Sequence, residues 1–425
     1  MDGLHMAEHA LQLMQEAGFE HAQVGVSRQR RSELCVAHNA VSLLRSSHRH
    51  QLQLVGLLDG RRAASEGSAL DEDSLRAAVQ ALWTDVQAAP QDAAHAVSTG
   101  QKALVRRGTL EPDVPALADA MDDLLAWRRD HAPTLMLEEA LAGHNALHSC
   151  VLTSAGSRLQ AELGWFDASV FGLAREDGRS SSFNFAEGCC DSLDGPPLLQ
   201  RFGFEPLLLA LTRQLRPQAL GGPFAGSVVL TPRAVADLLD WLLQQLGDLA
   251  LIDGSSVYGQ RVGQAVASPL LSLRSRFEAP GVAPFSADAH ALRPVQPLDQ
   301  GRLVCLLPSL YGSRKTGLPA VASVQRGWEL AAGGTPLARM ISEVPRGALV
   351  DRLSMGRPAA NGDFSGLIKN SFAITDGELG PALAETMIAG NVAQMLLDVT
   401  AVSAERIDTG TTLLPWLVVQ GLHFS

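Results

Sequence analysis

Only five cysteines occur in 425 residues, and two of them, Cys189 and Cys190, are adjacent. An odd, scattered set suits buried thiols in a reducing compartment better than a disulfide framework, so a cytoplasmic location is expected. No stretch of about 18 apolar residues runs without charge or several polar breaks, which argues against a membrane-spanning helix. The opening Met1-Asp2-Gly3-Leu4-His5 has neither a basic nor an apolar targeting segment, so no secretory signal is expected. Basic side chains are also scarce, 34 against 45 acidic ones, for a formal net charge of −11. Proteins that grip a duplex carry a basic face that displaces counterions. Here the densest basic run is Arg28-Gln29-Arg30-Arg31, so nucleic acid is not an expected partner. What is present is ample core material, with 46% hydrophobic and only 19% charged residues. A folded monomer of this length exposes roughly 16,000 Å² of surface.

Hydrophobic spacing gives a helix over 3–18, then a meander of short strands at His21–Ser27, Glu33–His38, Ala40–Ser46 and Gln51–Leu58. A second helix is expected over Leu70–Ala88, a linker over 89–112, and a third helix over 114–129. A second meander follows at Thr134–Leu141, Ala146–Thr153, Ser157–Leu163, Asp167–Glu176 and Ser180–Ala186, closed by a helix over about 198–215. Two stretches, Gln53–Arg62 and Val170–Arg179, share an apolar strand with Gly, an Asp-Gly turn and then Arg. An internal duplication (1–112 and 113–216) and convergence of two hairpins both fit. Gly and Pro concentrate over Pro217–Gly226, which places a boundary between an N-terminal α/β domain, 1–216, and a C-terminal β-rich domain, 226–425. Beyond it come a buried strand at Ser227–Leu230 and an apolar helix over 233–246 with Pro232 at its start. The expected fold class is α+β: a helix and antiparallel-meander region followed by a barrel- or sandwich-like domain.

Few motifs carry chemistry. His5-Met6-Ala7-Glu8-His9 has the spacing of an inverted zinc-peptidase helix, but no third ligand is suggested nearby, and a solvated helix face is favoured. His144 and His148 fall in a strand-and-turn region, where that spacing does not build a metal site. Ser365 and Lys369 are four apart, not the three of a Ser-x-x-Lys nucleophile pair. No phosphate-binding Gly loop, nucleophile elbow, His-Glu-x-x-His or Cys-x-x-Cys occurs. Tyr311-Gly312-Ser313-Arg314-Lys315-Thr316-Gly317 is a polar patch whose cations suit a carboxylate or peptide terminus, or else a solvated hairpin. Asn361-Gly362-Asp363-Phe364-Ser365-Gly366 has turn chemistry.

Taken in order, several segments resemble the TldD/PmbA family, in its PmbA (TldE) branch. They are Glu16-Ala17-Gly18, Gly254–Gly259, Leu306–Gly317, Asn361–Gly366, Asp376-Gly377-Glu378-Leu379 and Ile388-Ala389-Gly390-Asn391. The resemblance implies a two-subunit cytoplasmic metallopeptidase whose TldD-type chain carries a His-Glu-x-x-x-His helix for zinc. The comparable helix here, Ala234–Gln245, holds neither His nor Glu, and no Cys stands near Asp363 or Ser365. The expectation is therefore a metal-free chain, with zinc in a TldD-type partner and unfolded peptide as substrate. Tyr311, Ser313, Arg314, Lys315, Asn361, Asp363 and Ser365 are the candidate substrate-binding residues. Two alternatives stay open: a stand-alone homodimer that binds peptide or protein without cutting it, and an enzyme using Ser365 and Lys369. The family's association with DNA gyrase modulation would act through protein contacts.

Overall fold

The computed structural model describes residues 3–68, 71–219, 221–384 and 386–425. Met1 and Asp2, Leu70 at the expected helix start, and Leu220 in the expected boundary lie outside the described residues.

The four short strands expected early in the chain are two long ones, β1 (His21–Ala37) and β2 (Ala40–Leu58). The polar clusters that looked like breaks lie opposite one another in the ladder: Arg28 with His50, Gln29 with Arg49, Arg30 with His48, Arg31 with Ser47. The backbone bonds of a strand are indifferent to side-chain polarity, so the ladder runs through. His38 and Asn39, at φ 52° and 65°, supply the left-handed pair that a two-residue hairpin turn requires. β3 (Arg61–Gly67) follows across Asp59-Gly60 and pairs with β2 only from Leu52 to Leu58.

After α2 (Glu72–Ala88), capped by Asp71, the expected linker contains a strand, β4 (Lys102–Arg107). None of its side chains is fully buried, which is why hydropathy does not mark it. α3 (Val114–His131) leads into β5 (Leu135–Thr153) and β6 (Arg158–Glu176), again two long strands where four short ones were expected. β7 (Arg179–Ser180) and β8 (Asn184–Cys190) complete a sheet of order β3-β2-β1-β5-β6-β4, with β7 and β8 also on β6. The expected helix over 198–215 is a short turn at Leu198–Gln200 and α4 (Phe204–Thr212). They are separated by Phe202 and Gly203 at φ 59° and 75°.

One face of this sheet is covered by helices. α1 (Gly3–Glu16) and α2 pack on Ala22, Val24, Val26, Leu52 and Leu54. α3 and α4 pack on Leu34, Val36, Phe166, Ala168 and Val170. Because side chains alternate along a strand, the intervening residues point to the opposite, open face.

Among the described residues the second sheet has 14 strands, running from Gln218–Ala219 to Leu413–Phe424. At its centre Phe224–Leu230 is antiparallel to Leu413–Phe424 and parallel to Arg346–Val350. α5 (Pro232–Leu246) follows with Pro232 in the first turn, and buries Val235, Leu238, Leu239 and Leu242 against Val228 and Leu230. α6 (Asp248–Ile252), α7 (Leu310–Thr316), α8 (Leu337–Ser342) and α9 (Val392–Leu397) are short. The segment at 311–317, expected as a polar loop or hairpin, is thus a helix. Among the described residues no helix is long and apolar enough to cross a membrane. The whole is an α+β fold built on a curled sheet and a larger one.

Candidate functional site

The segments that stood out in the sequence converge on α5 and α6. Ser256 donates to the Gln245 carbonyl at 2.6 Å, and the Val257 amide to Gln245 Oε1 at 3.0 Å. Tyr258, buried, meets Trp241 edge to face at 6.0 Å between ring centroids. Trp241 Nε1 donates to the Ala359 carbonyl at 3.2 Å, just before Asn361-Gly362-Asp363. The Ser309 amide donates to Asp248 Oδ1 at 2.8 Å, and its hydroxyl to the other carboxylate oxygen. Gly312 lies so close that an added Cβ would stand 1.9 Å from that Oδ1.

The predicted site residues fall into two separate clusters. On α7, Tyr311 donates to Asp92 Oδ2 at 2.7 Å and Lys315 pairs with the same oxygen at 2.8 Å. Arg314 donates to the Ala93 carbonyl at 2.9 Å, and His95 stacks on Tyr311. Lys315 first, then the Ala94 amide and Tyr311, hold the Asp92 carboxyl well below the usual range. This cluster ties the loop after α2 to α7. Ser313 donates to the Leu318 carbonyl at 2.6 Å, closing the end of α7. In the second cluster Asn391 and Asn361 donate to Asp363 at 2.8 and 2.7 Å and lower its pKa, Asn391 contributing most. Asn391 also accepts from the Gln394 amide and so caps α9. Ser365 is exposed on the strand Asp363–Lys369. Four residues along a strand span about 13 Å, so Ser365 and Lys369 are out of reach of one another as a nucleophile pair.

The histidines take ordinary roles. His5 and His9 meet Glu8 and Glu72 at 3.6 and 2.6 Å, and His144 bonds the Thr109 carbonyl at 2.8 Å.

The sequence did not single out the residues between the two sheets. The open face of the first sheet turns toward the C-terminal half: Gln23 donates to the Ala287 carbonyl at 3.0 Å, and Trp165 lies under Gly281. Across that face runs a charged ribbon. Arg45 and Arg31 both hold Glu33, and Arg31 also holds Asp167 at 2.8 Å. Asn145 joins the ribbon by donating to Asp167 Oδ1 at 2.6 Å. Burial alone would raise the Glu33 carboxyl, but the two guanidiniums outweigh it and keep it low. The Arg28–Arg31 run was the visible signal; of the acidic partners of Arg31, Glu33 stands two residues on and Asp167 lies far away in sequence.

The facing wall is α5. Arg233 bonds Asn184 of β8, lies 3.4 Å from Asp351, and covers the Phe185 ring at 4.7 Å. One turn on, burial and the neighbouring Asp240 carboxylate push the Asp237 carboxyl up to about 6. Burial raises Asp240 as well. Arg326 reaches across to Glu187 of β8 at 4.0 Å.

This wall does not suit zinc. Leu238, Leu239, Trp241 and Leu242 are 0–4% exposed and belong to the core, and the only carboxylates on α5 are Asp237 and Asp240. Among the described residues no group of three or more His, Cys, Asp or Glu is placed to hold a metal ion. α5 itself offers two carboxylates and no His or Cys, short of the three or four donors that zinc takes.

Residues 225–425 match the family described as the PmbA/TldA metallopeptidase C-terminal domain. The metalloprotease PmbA of Escherichia coli O157:H7 is 27% identical over 146 residues, 32% of this chain and 32% of that protein, so the match spans about a third of the curated relative's length. TldE from Thermococcus kodakarensis superposes with a TM-score of 0.81 at 18% identity, covering 99% of this chain and 100% of that one. A protein from Bacteroides thetaiotaomicron, described as a candidate modulator of DNA gyrase, superposes with a TM-score of 0.85 at 19% identity, covering 99% and 98%. Its counterpart from Thermotoga maritima has a TM-score of 0.80 at 15% identity, covering 99% and 100%. Residues 225–425 thus carry the PmbA/TldA metallopeptidase C-terminal domain, and the whole chain has the fold of these three solved structures.

Proposed function

We propose that this chain is the metal-free subunit of a two-chain TldD-type peptidase in the cytoplasm. One observation carries the reading: the helix where the catalytic branch places its zinc ligands instead buries Leu238, Leu239, Trp241 and Leu242 in the core. The partner chain would hold zinc and perform hydrolysis. This chain would supply one wall of a chamber, formed by the open face of the first sheet and α5. An extended peptide would enter as an added strand, held mainly through main-chain bonds that tolerate many sequences. The product would be degraded peptide or a matured leader-bearing peptide. Tyr311, Arg314, Lys315, Asn361 and Asp363 would act in this scheme by fixing the chamber's frame, which leaves peptide contact to Ser365 and the charged ribbon.

Reconstitution tests this. The chain is purified alone and with a TldD-type partner and incubated with unfolded peptides. Proteolysis that needs both chains and is stopped by chelation is expected. Zinc-dependent proteolysis by this chain alone would sink the proposal. A stable self-dimer that binds peptide and recruits no partner would favour the stand-alone binding module instead.

A further inference from the structure

We propose that the free edge of β2 from Ala40 to Gln51 is a docking edge for an extended peptide that is apolar at one end and acidic at the other. The inference rests on the chamber reading and says which edge receives the strand and what chemistry it prefers.

The edge exists because the strands of the first hairpin outrun their neighbour. β1 pairs with β2 along its whole length, whereas β3 ends at Gly67, opposite Leu52. Among the described residues no strand pairs with the other side of β2 over 40–51. Unpaired edges of this length are normally blunted by a bulge, a proline or a covering segment. One bulge occurs, at Ser42 beside the turn, where Val36 pairs with Val41 and Cys35 with Leu43. From Leu43 to Gln51 there is no further bulge and no proline, and residues 41–49 are exposed on both faces. Val41, Leu43 and Leu44 are 50%, 43% and 58% exposed, which is costly for apolar side chains unless something covers them.

The charge pattern selects the occupant. The run Ala40–Gln51 contains Arg45, Arg49, His48 and His50 and no Asp or Glu, in a chain of net charge −11. A second copy pairing antiparallel about Ser46 and Ser47 would set Arg45 against His48 and Leu44 against Arg49, which matches neither charge nor hydrophobicity. A strand with apolar residues opposite Val41–Leu44 and carboxylates opposite Arg45–Arg49 satisfies both. Position favours a peptide over a structural cover. Arg45 opens the ribbon that continues through Glu33 and Arg31 to Asp167 on the open face. Alternate side chains of a strand added here would therefore project over the face that turns toward the C-terminal half. The added strand would also extend the row that β3 begins.

Fluorescence anisotropy on the full-length chain tests the proposal. The probe is a labelled peptide of about ten residues, Val and Ile in one half and Glu in the other, beside a Glu→Gln version and an alternately N-methylated version. The acidic peptide should bind about fivefold tighter than its Gln version, the scale of one exposed ion pair. N-methylation should abolish binding, because it removes the main-chain donors. Arg49→Glu should erase the preference for acid, and Arg49→Gln should halve it or more, with thermal midpoints near wild type. Equal binding of the N-methylated peptide, an acid preference unchanged in Arg49→Glu, or no binding together with a self-dimer broken by Leu44→Lys would each overturn the proposal. The chamber reading fails separately. If the chain binds the acidic peptide but no partner-dependent proteolysis appears, the edge stands and the chamber does not. If proteolysis is reconstituted and Arg49→Glu leaves its peptide preference untouched, the edge falls alone.

Discussion

Asp237 illustrates how a single side chain takes its properties from the fold. Its carboxyl, 3.8 in the free residue, is pushed up to about 6 by burial on α5 and by Asp240. A raised pKa means that the folded state holds the proton more tightly than the unfolded chain. The group therefore costs nothing below about pH 4, and its burden grows as pH rises through about 6. Asp237→Asn removes the burden. The variant should match wild type near pH 4 and gain on it up to pH 7, by up to about 3 kcal/mol. Thermal unfolding of both proteins at pH 4, 5, 6 and 7 measures the difference. A gap that stays constant or shrinks with pH would show that Asp237 is not held in this way. Glu33 lies at the opposite pole: only 2% exposed, its carboxyl is nevertheless held low by Arg31 and Arg45. Arg31 was visible in the sequence as part of a basic run. That it would neutralise Glu33 and Asp167 was not, because Asp167 reaches it only through the β1–β5 and β5–β6 pairings.

At the scale of elements, the long helices were legible, whereas the short helices of the C-terminal half and the strand lengths were not. α5 was marked by its apolar spacing and by Pro232, and its bounds are close to those expected. Long strands were read as broken because polar runs such as Arg28–Ser32 and Ser47–His50 interrupt the apolar alternation, although they pair with each other. α7 was read as a loop or hairpin, since a helix of seven residues rich in Gly, Ser and Lys has little periodicity to reveal. Its place is set instead by Asp248 at its start and Asp92 alongside. This gives α7 a joining role that can be tested. Lys315→Ala combined with Tyr311→Phe should speed amide hydrogen exchange in residues 90–101 and 310–317 and leave β1 and β5 unchanged. Faster exchange throughout the chain, or no change in either segment, would count against a local clamp.

The whole molecule exposes 19148 Å², well above the roughly 16,000 Å² expected for a compact monomer of its length. The uncovered arm of β2, exposed throughout residues 41–49, contributes to the excess. The hydrophobic cores under the helices of the first sheet are separate from the large core around α5. Polar contacts make much of the join. Arg107 is prominent among them, donating to the Phe277, Ala279 and Val282 carbonyls at 3.3, 3.4 and 2.9 Å. Removing it strands three carbonyls and loosens the coupling between cores that could each unfold as a unit. Arg107→Ala should broaden or split the calorimetric unfolding transition. A single sharp transition at the wild-type midpoint would show that the halves are coupled by other contacts.

The sequence by itself determined the α+β class, the apolar helix without zinc donors and the ordered segments that resemble the TldD/PmbA family. All of these are local, written in the spacing and chemistry of neighbouring residues. Only the tertiary structure decided that Tyr311 and Lys315 are spent on Asp92, that Arg45, Glu33, Arg31 and Asp167 form one ribbon, and that β2 outruns β3 to leave an edge. Those outcomes depend on strand register and on which surfaces meet. Register and docking are fixed by contacts between residues tens to hundreds of positions apart, and a reading along one chain does not contain them.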